Sequence, residues 1–372
     1  TTNLDVVDID GAVDMASTLT LAGNADFNGN LDVDGTTDLD GLTVAGNLSV
    51  DGGTIKLDGN YPTGTNNVAL GDIALADGSL SGGNNTAIGR SSLYSNTSGA
   101  NNTGIGSGAL ENNTTAASNT AVGYHSLLAN TTGADNVAVG ATSLDANTTG
   151  AENVAVGKSS LTGNTTGDFN TAVGENALAN NTTADNNTAI GRRAMLANTT
   201  GTGGVAVGTS ALAANTTGDY NIAIGLNALD ENTTGTQNTA LGLSCLGSNT
   251  TGGFNNALGV GALANNTTAG NNTAVGHSAL NANTTGGLNT AVGAFALESN
   301  TTGEFNVAMG YEALEENTTA DSNSAFGYRA LTANTTGASN TAVGSLSLDA
   351  NTTGSSNTAV GENALGANTT GS

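Results

Sequence analysis

The sequence predicts an all-β fold, a parallel β-solenoid, from three features: an unbroken 17-residue repeat, a glycine fixed at one point of every copy, and very few aromatic side chains. Of 372 residues, aromatics make up 3%, Trp is absent, Pro occurs once and Gly 55 times, so little bulk is available to fill a compact globular core. Such a composition would also suit a disordered chain. Strict periodicity argues instead for repeated supersecondary units stacked on one another.

From Asn85 the repeat runs without a gap, with copies starting at 85, 102, 119, 136 and onward to 357, seventeen in all. The consensus is N-T-A-V-G-x-x-A-L-x-x-N-T-T-G-x-x. An eighteenth copy at Asn67 is displaced by one residue. Its second half, Ala76–Gly83, lacks the Asn-Thr-Thr element and reads as a capping or transitional coil, because terminal repeats are usually atypical. Alternation over positions two to four describes one short strand per copy. It places the second residue and the larger apolar fourth residue (Val122, Ile190, Leu258, Phe326) on one face and the small third residue, almost always Ala, on the other. The ninth residue is Leu from Leu75 to Leu365, with Met195 the exception, and is expected to share an interior with the fourth. The Ala column is expected to mark a close approach, with a neighbouring chain as the partner. Gly at position five suits a corner with positive φ, and Asn-Thr-Thr-Gly suits a second turn. The intervening x-x-Ala-Leu-x-x is compatible with either a second strand or one turn of helix. A single coil buries too little apolar surface to offset its ordering entropy, so the coils must stack, at about 4.8 Å per step.

Residues 1–60 follow a looser rhythm, with Gly recurring every six residues in Asp26-Phe27-Asn28-Gly29, Asp32-Val33-Asp34-Gly35 and Asp38-Leu39-Asp40-Gly41. This describes a thin β-helical shaft leader with so little core per chain that it calls for partners around a common axis. The organisation is thus a hexad-repeat leader at 1–60, a transition with a capping coil at 61–84, and the 17-residue-repeat solenoid at 85–372. The lone Pro62 falls in the joint, Leu57–Gly64. The first residues, Thr1-Thr2, carry neither Met nor a signal peptide, as expected of a segment of something longer or a processed product.

Six Lys and Arg against 31 Asp and Glu give a net charge of −25, which argues against nucleic acid or anionic lipid as partners. The acidity fits solubility or a high-salt setting. No apolar run is long enough for a membrane-spanning helix. The single Cys245 excludes an intrachain disulfide and stands where sister copies carry Ala or Ser, which suggests a small packing residue.

No catalytic, cofactor-binding or metal-ligating set emerges, and no enzyme is expected. His125 and His277 occupy different variable positions in different copies. Asp32, Asp34 and Asp38 offer hard oxygen ligands suited to Ca²⁺, without the full twelve-residue loop. The Asn-x-Thr sequons read as turn chemistry before glycan acceptors. The Thr131, Thr148, Thr165 column invites an ice-binding reading, yet adjacent Thr residues point to opposite faces and leave one column only. A glycan hydrolase would need paired carboxylates in a groove, whereas the acids here are scattered. Recognition, if lateral, would fall to variable positions holding Tyr124, Arg192, Arg193, Tyr311 and Arg329.

Asp135-Asn136-Val137-Ala138-Val139-Gly140 resembles the core motif of head repeats in trimeric autotransporter adhesins, which are parallel β-rolls of three chains. The fuller unit, Asn119 to Leu127 followed by Asn130-Thr131-Thr132-Gly133, more closely resembles repeats of tailed-virus fibre proteins, as does the leader Leu31 to Thr37. The resemblance implies a homotrimeric fibre shaft on a virion or another extracellular surface. Its partners would be its own copies and a host cell-surface receptor, a glycan or a surface protein, reached by a tip. A cell-surface trimeric adhesin or matrix filament is the alternative.

Overall fold

The structure, a computed structural model, describes residues 65–77 and 79–372. The hexad leader, its Asp32, Asp34 and Asp38, and the whole of the joint lie outside the described residues. Eighteen three-residue strands, β1 (Val68–Leu70) to β18 (Thr358–Val360), form one parallel sheet in which each strand pairs with its neighbours in sequence. Pairing is one coil apart, as in Thr120↔Val137, and only β1 to β2 spans one residue more, Val68↔Thr86. The chain is therefore a parallel β-solenoid of seventeen coil-to-coil steps, with no helix among the described residues.

Parallel-type hydrogen bonding continues around the coil well beyond the strands. Thr120 N–H donates forward to Asn136 C=O (2.8 Å), Leu127 N–H to Ser143 C=O (3.0 Å) and Thr131 N–H to Thr148 C=O (2.9 Å). Gly123 N–H donates backward to Ile105 C=O (2.8 Å) and His125 N–H to Ser107 C=O (3.0 Å). Backbone groups thus find partners mainly one coil away, which answers the demand that buried N–H and C=O be paired.

Position five turns the corner as expected. Gly123 has φ +138°, and a Cβ there would lie 2.5 Å from the carbonyl oxygen of Gly140, the same residue one coil on. The Ala-Leu segment is neither a second strand nor a helical turn. It is a run of turns in which positions seven and nine, as His125 (φ 52°) and Leu127 (φ 52°), are left-handed without being glycine. A bulky residue with positive φ is uncommon and costs about 1–3 kcal/mol. Here the conformation is held because it buries Leu127 fully while leaving its N–H bonded to the next coil.

The interior is the reverse of the sequence expectation. The third-position Ala residues, such as Ala121, Ala138 and Ala155, are fully buried with the ninth-position Leu column. The fourth-position residues point outward, with Ile190 41% and Leu258 44% exposed. The Ala column therefore makes its close approach inside its own coil and does not meet a neighbouring chain. The cause is the width of the coil: across from the strand stands Leu, and the gap between them admits a methyl group and not a second branched side chain. Cys245 packs in this interior as expected, its Sγ 3.1 Å from Ala257 C=O.

Two columns of buried asparagine complete the core. At position twelve, Asn130 donates from Nδ2 to Asn113 Oδ1 (3.0 Å) and to Gly133 C=O (2.9 Å), and its own Oδ1 accepts from Asn147 (2.9 Å). At position one, Asn119 Oδ1 accepts from Asn136 N–H (2.9 Å) while Asn119 Nδ2 donates to Gly133 C=O (2.9 Å). Asn323 departs from this pattern, its Nδ2 buried and unpartnered, for which nothing in the structure supplies a reason. The first-position column is broken at Gly204, and a Cβ there would collide with Met195 Cε. Met195 is the ninth-position residue that is not Leu. The longer Met side chain occupies the space an asparagine would use, so these two departures from the consensus compensate each other.

Two outcomes follow for stability. Asn215→Ala strips a paired buried amide and leaves Asn198 Oδ1 and Gly218 C=O without a donor, so urea unfolding should show a loss of about 2–4 kcal/mol, against under about 0.5 kcal/mol for exposed Thr217→Ala. Gly204→Asn should destabilise through its clash with Met195, and adding Met195→Leu should recover most of the loss; a double-mutant cycle reads the coupling as about 1–3 kcal/mol.

Candidate functional surface

Each strand presents positions two and four to solvent, two columns across eighteen rungs. Position two is Thr in ten strands, Val in five, and Ile222, Asn256 and Ser324 in the others; position four is always Val, Ile, Leu, Met or Phe. Not one of these thirty-six side chains is charged. In a chain of net charge −25 this is a segregated, uncharged surface, apolar along the whole of position four and mostly Thr along position two, and an exposed apolar column of this length marks a contact region. Positions seventeen and six flank it and widen it where they too are apolar. The widest stretch runs through Tyr220, Ile222, Ile224 and Leu226, then Leu241 and Leu243, then Phe254, Leu258 and Val260, all exposed. Sequence reading assigned the second and fourth residues to the core and so missed this face. The signal that could have found it is the variation in size at position four, from Val to Phe, against a near-constant Ala and Leu at positions three and nine.

The variable corner after Gly carries stacked pairs. Arg192 Nε lies 3.5 Å from Glu175 Oε2, and Arg329 Nε 3.2 Å from Glu312 Oε2, each one coil apart. His277, Phe295, Tyr311 and Tyr328 follow one another over four coils, with ring centroids 5.2, 5.8 and 5.7 Å apart. Tyr124 stacks on His125 at 3.7 Å. Apart from those ring contacts and ion pairs, the structure does not gather the sequence-selected Tyr124, Arg192, Arg193, Tyr311 and Arg329 into one site. Neither His joins a group of three or more potential ligands among the described residues.

The threonine turn divides its labour. Thr131 Oγ1 donates to Thr148 C=O (2.9 Å), and the same bond recurs coil after coil, while Thr132 stands exposed. The asparagine that opens each Asn-Thr-Thr element is the buried position-twelve column, its amide nitrogen committed to the ladder, so turn and core chemistry accounts for that element; the sequons that begin at Asn84, Asn101, Asn112, Asn180, Asn186, Asn265 and Asn271 have exposed asparagines instead.

Electrostatics match the packing. Burial pushes the Cys245 thiol up to about 12, leaving it protonated and inert at neutral pH. Burial first, then Glu312, Glu316 and Glu298, raise Glu315 above its ordinary value. Burial likewise raises Asp230. Tyr311 is raised mainly by its hydrogen bond to Glu312, and Asp77 is lowered by Ser79.

The chain matches no protein-family model and no curated protein sequence.

A carboxylate raised in the folded state binds its proton more tightly folded than unfolded, so its destabilisation is absent at low pH and grows as pH rises through the carboxylate range above 4.5. Glu315→Gln should accordingly raise the thermal midpoint at pH 7, make little difference near pH 3.5, and flatten the fall between them.

Proposed function

We propose that this chain is the shaft of a homotrimeric attachment fibre of the kind carried by tailed viruses, spacing a receptor-binding tip from the particle that bears it. One observation carries the reading: the uncharged strand face, apolar at position four in every coil, runs the whole length of the solenoid on an otherwise acidic molecule. Copies of a chain at −25 repel one another wherever charge meets charge, and this face is where like chains can meet without burying carboxylates. Three copies joined along it would present each lateral feature three times, so that effective concentration stands in for single-site affinity. The hydrogen-bonded continuity of the coils suits a mechanical spacer. The sequence resemblance to tailed-virus fibre repeats supplies the choice of object and of a cell-surface receptor.

Native mass spectrometry and sedimentation equilibrium of the full chain should return three copies. Val139→Asp together with Ile224→Asp, on the outward strand face, should give folded single copies with unchanged far-ultraviolet circular dichroism. Thr132→Asp on the exposed turn should leave the trimer intact. A folded wild-type chain that stays monomeric at micromolar concentration would remove the assembly from this reading.

A further inference from the structure

Repetition creates a difficulty for any assembly through the strand face. Each coil offers nearly the same two side chains as the next, so copies shifted by one coil would meet almost the same chemistry, and register is weakly specified wherever a pattern repeats. One position breaks the monotony. Asn256, in β12 (Asn256–Leu258), is the single amide among the thirty-six outward strand residues. It is exposed, and its side chain makes no hydrogen bond within the chain, unlike the asparagines of the two interior ladders. It also sits in the broadest apolar stretch of the surface, between Phe254 (54% exposed) and Leu258, with Tyr220 (60% exposed), Ile222, Ile224 and Leu226 two coils before it.

We infer that Asn256 fixes the axial register of copies of this chain, by pairing with Asn256 of the neighbouring copies within an uncharged contact of aliphatic, aromatic and threonine side chains. The inference rests on the self-association proposed above and adds its specificity. An amide carries both donors and an acceptor, so copies in register satisfy one another. A shift of one coil sets the amide against the hydroxyl of Thr239 or Thr273, which returns fewer bonds. A shift of two coils toward the N-terminus sets it on Ile222, and three coils on Val205 or Val307, where it is buried unpaired. One amide set among apolar side chains and hydroxyls specifies register on the same physical ground as a single Asn in a coiled-coil seam. Its surroundings matter as much as its identity, because only exclusion of water makes a mismatch costly.

Disulfide trapping tests this on the full chain. In a Cys245→Ser background, whose Ser is the residue sister coils carry, single variants Thr171→Cys, Thr188→Cys and Val205→Cys are mixed in pairs, oxidised, and their cross-links identified by mass spectrometry. With Asn256 present, 171–171 products should exceed 171–188 and 171–205 products by about tenfold or more. With Asn256→Val, a residue native to five other strands and so compatible with the fold, shifted products should rise to within about twofold of the matched one while the copy number stays the same. Matched products that persist unchanged in Asn256→Val, or shifted products already abundant with Asn256, would overturn the register role and leave the assembly standing. An absence of any cross-link together with a single-copy native mass would overturn both.

Discussion

The structure depends on polar groups that are satisfied one coil away. Backbone N–H groups donate forward or backward to the adjacent coil, and the two asparagine columns carry the same dependence into the interior, amide to amide at position twelve and amide oxygen to the backbone N–H 17 residues on at position one. An amide sealed from water without a partner is costly, so each position-twelve asparagine is an asset only if the neighbouring coil has the same residue in the same place, whereas at position one the partners are backbone groups and Asn187 Oδ1 is satisfied by Gly204 N–H (2.8 Å). This constraint explains why the repeat length does not drift over seventeen copies, why position twelve is invariant, and why the solenoid can proceed with so little apolar bulk. It also explains the pair at Met195 and Gly204: losing one rung of a ladder leaves a void, and here a longer side chain from the adjacent column fills it.

The narrow coil sets the second constraint. Opposite the strand, the Leu column reaches across the interior and leaves room for Ala, so the branched aliphatics of the same strand are displaced to the surface. A core of methyl groups, leucines and bonded amides is thin in apolar area but dense in hydrogen bonds. The left-handed backbone at positions seven and nine belongs to the same economy of space, because it turns Leu inward while keeping its N–H on the neighbouring coil. A glycine is demanded where backbone stacks on backbone, as in the Gly123 column, and a leucine is tolerated in strained geometry where its side chain is gripped.

The surface that results is divided. Carboxylates and the few cations lie at the corners and turns, where they pair along the axis or project into water, and the strand face is left free of charge over its full length. The interaction surface is therefore a by-product of how the interior is filled: the aliphatics that cannot enter the core are the ones available to another chain. The corner stripe of His277, Phe295, Tyr311 and Tyr328 shows a related effect, since the two adjacent variable positions six and seven, repeated every coil, bring unrelated residues together along the axis.

The repeat, read by itself, determined the solenoid, its parallel strand at positions two to four, the corner at Gly, the buried Leu column, the small packing role of Cys245 and the displaced first coil. All of these follow from periodicity and from residues whose backbone preferences are strong. It did not determine which face of the strand is inside, because alternation by two defines two faces and is silent on which is buried. The larger residue at position four was read as core on hydrophobicity, and only the distance to the Leu column, a property of the closed coil, reverses that assignment. Nor could it reveal the asparagine ladders, since Asn-Thr-Thr-Gly carries the same letters whether its amide faces water or another amide 17 residues away. That decision belongs to the stacking of coils, where the partner of each group is supplied by a different part of the chain.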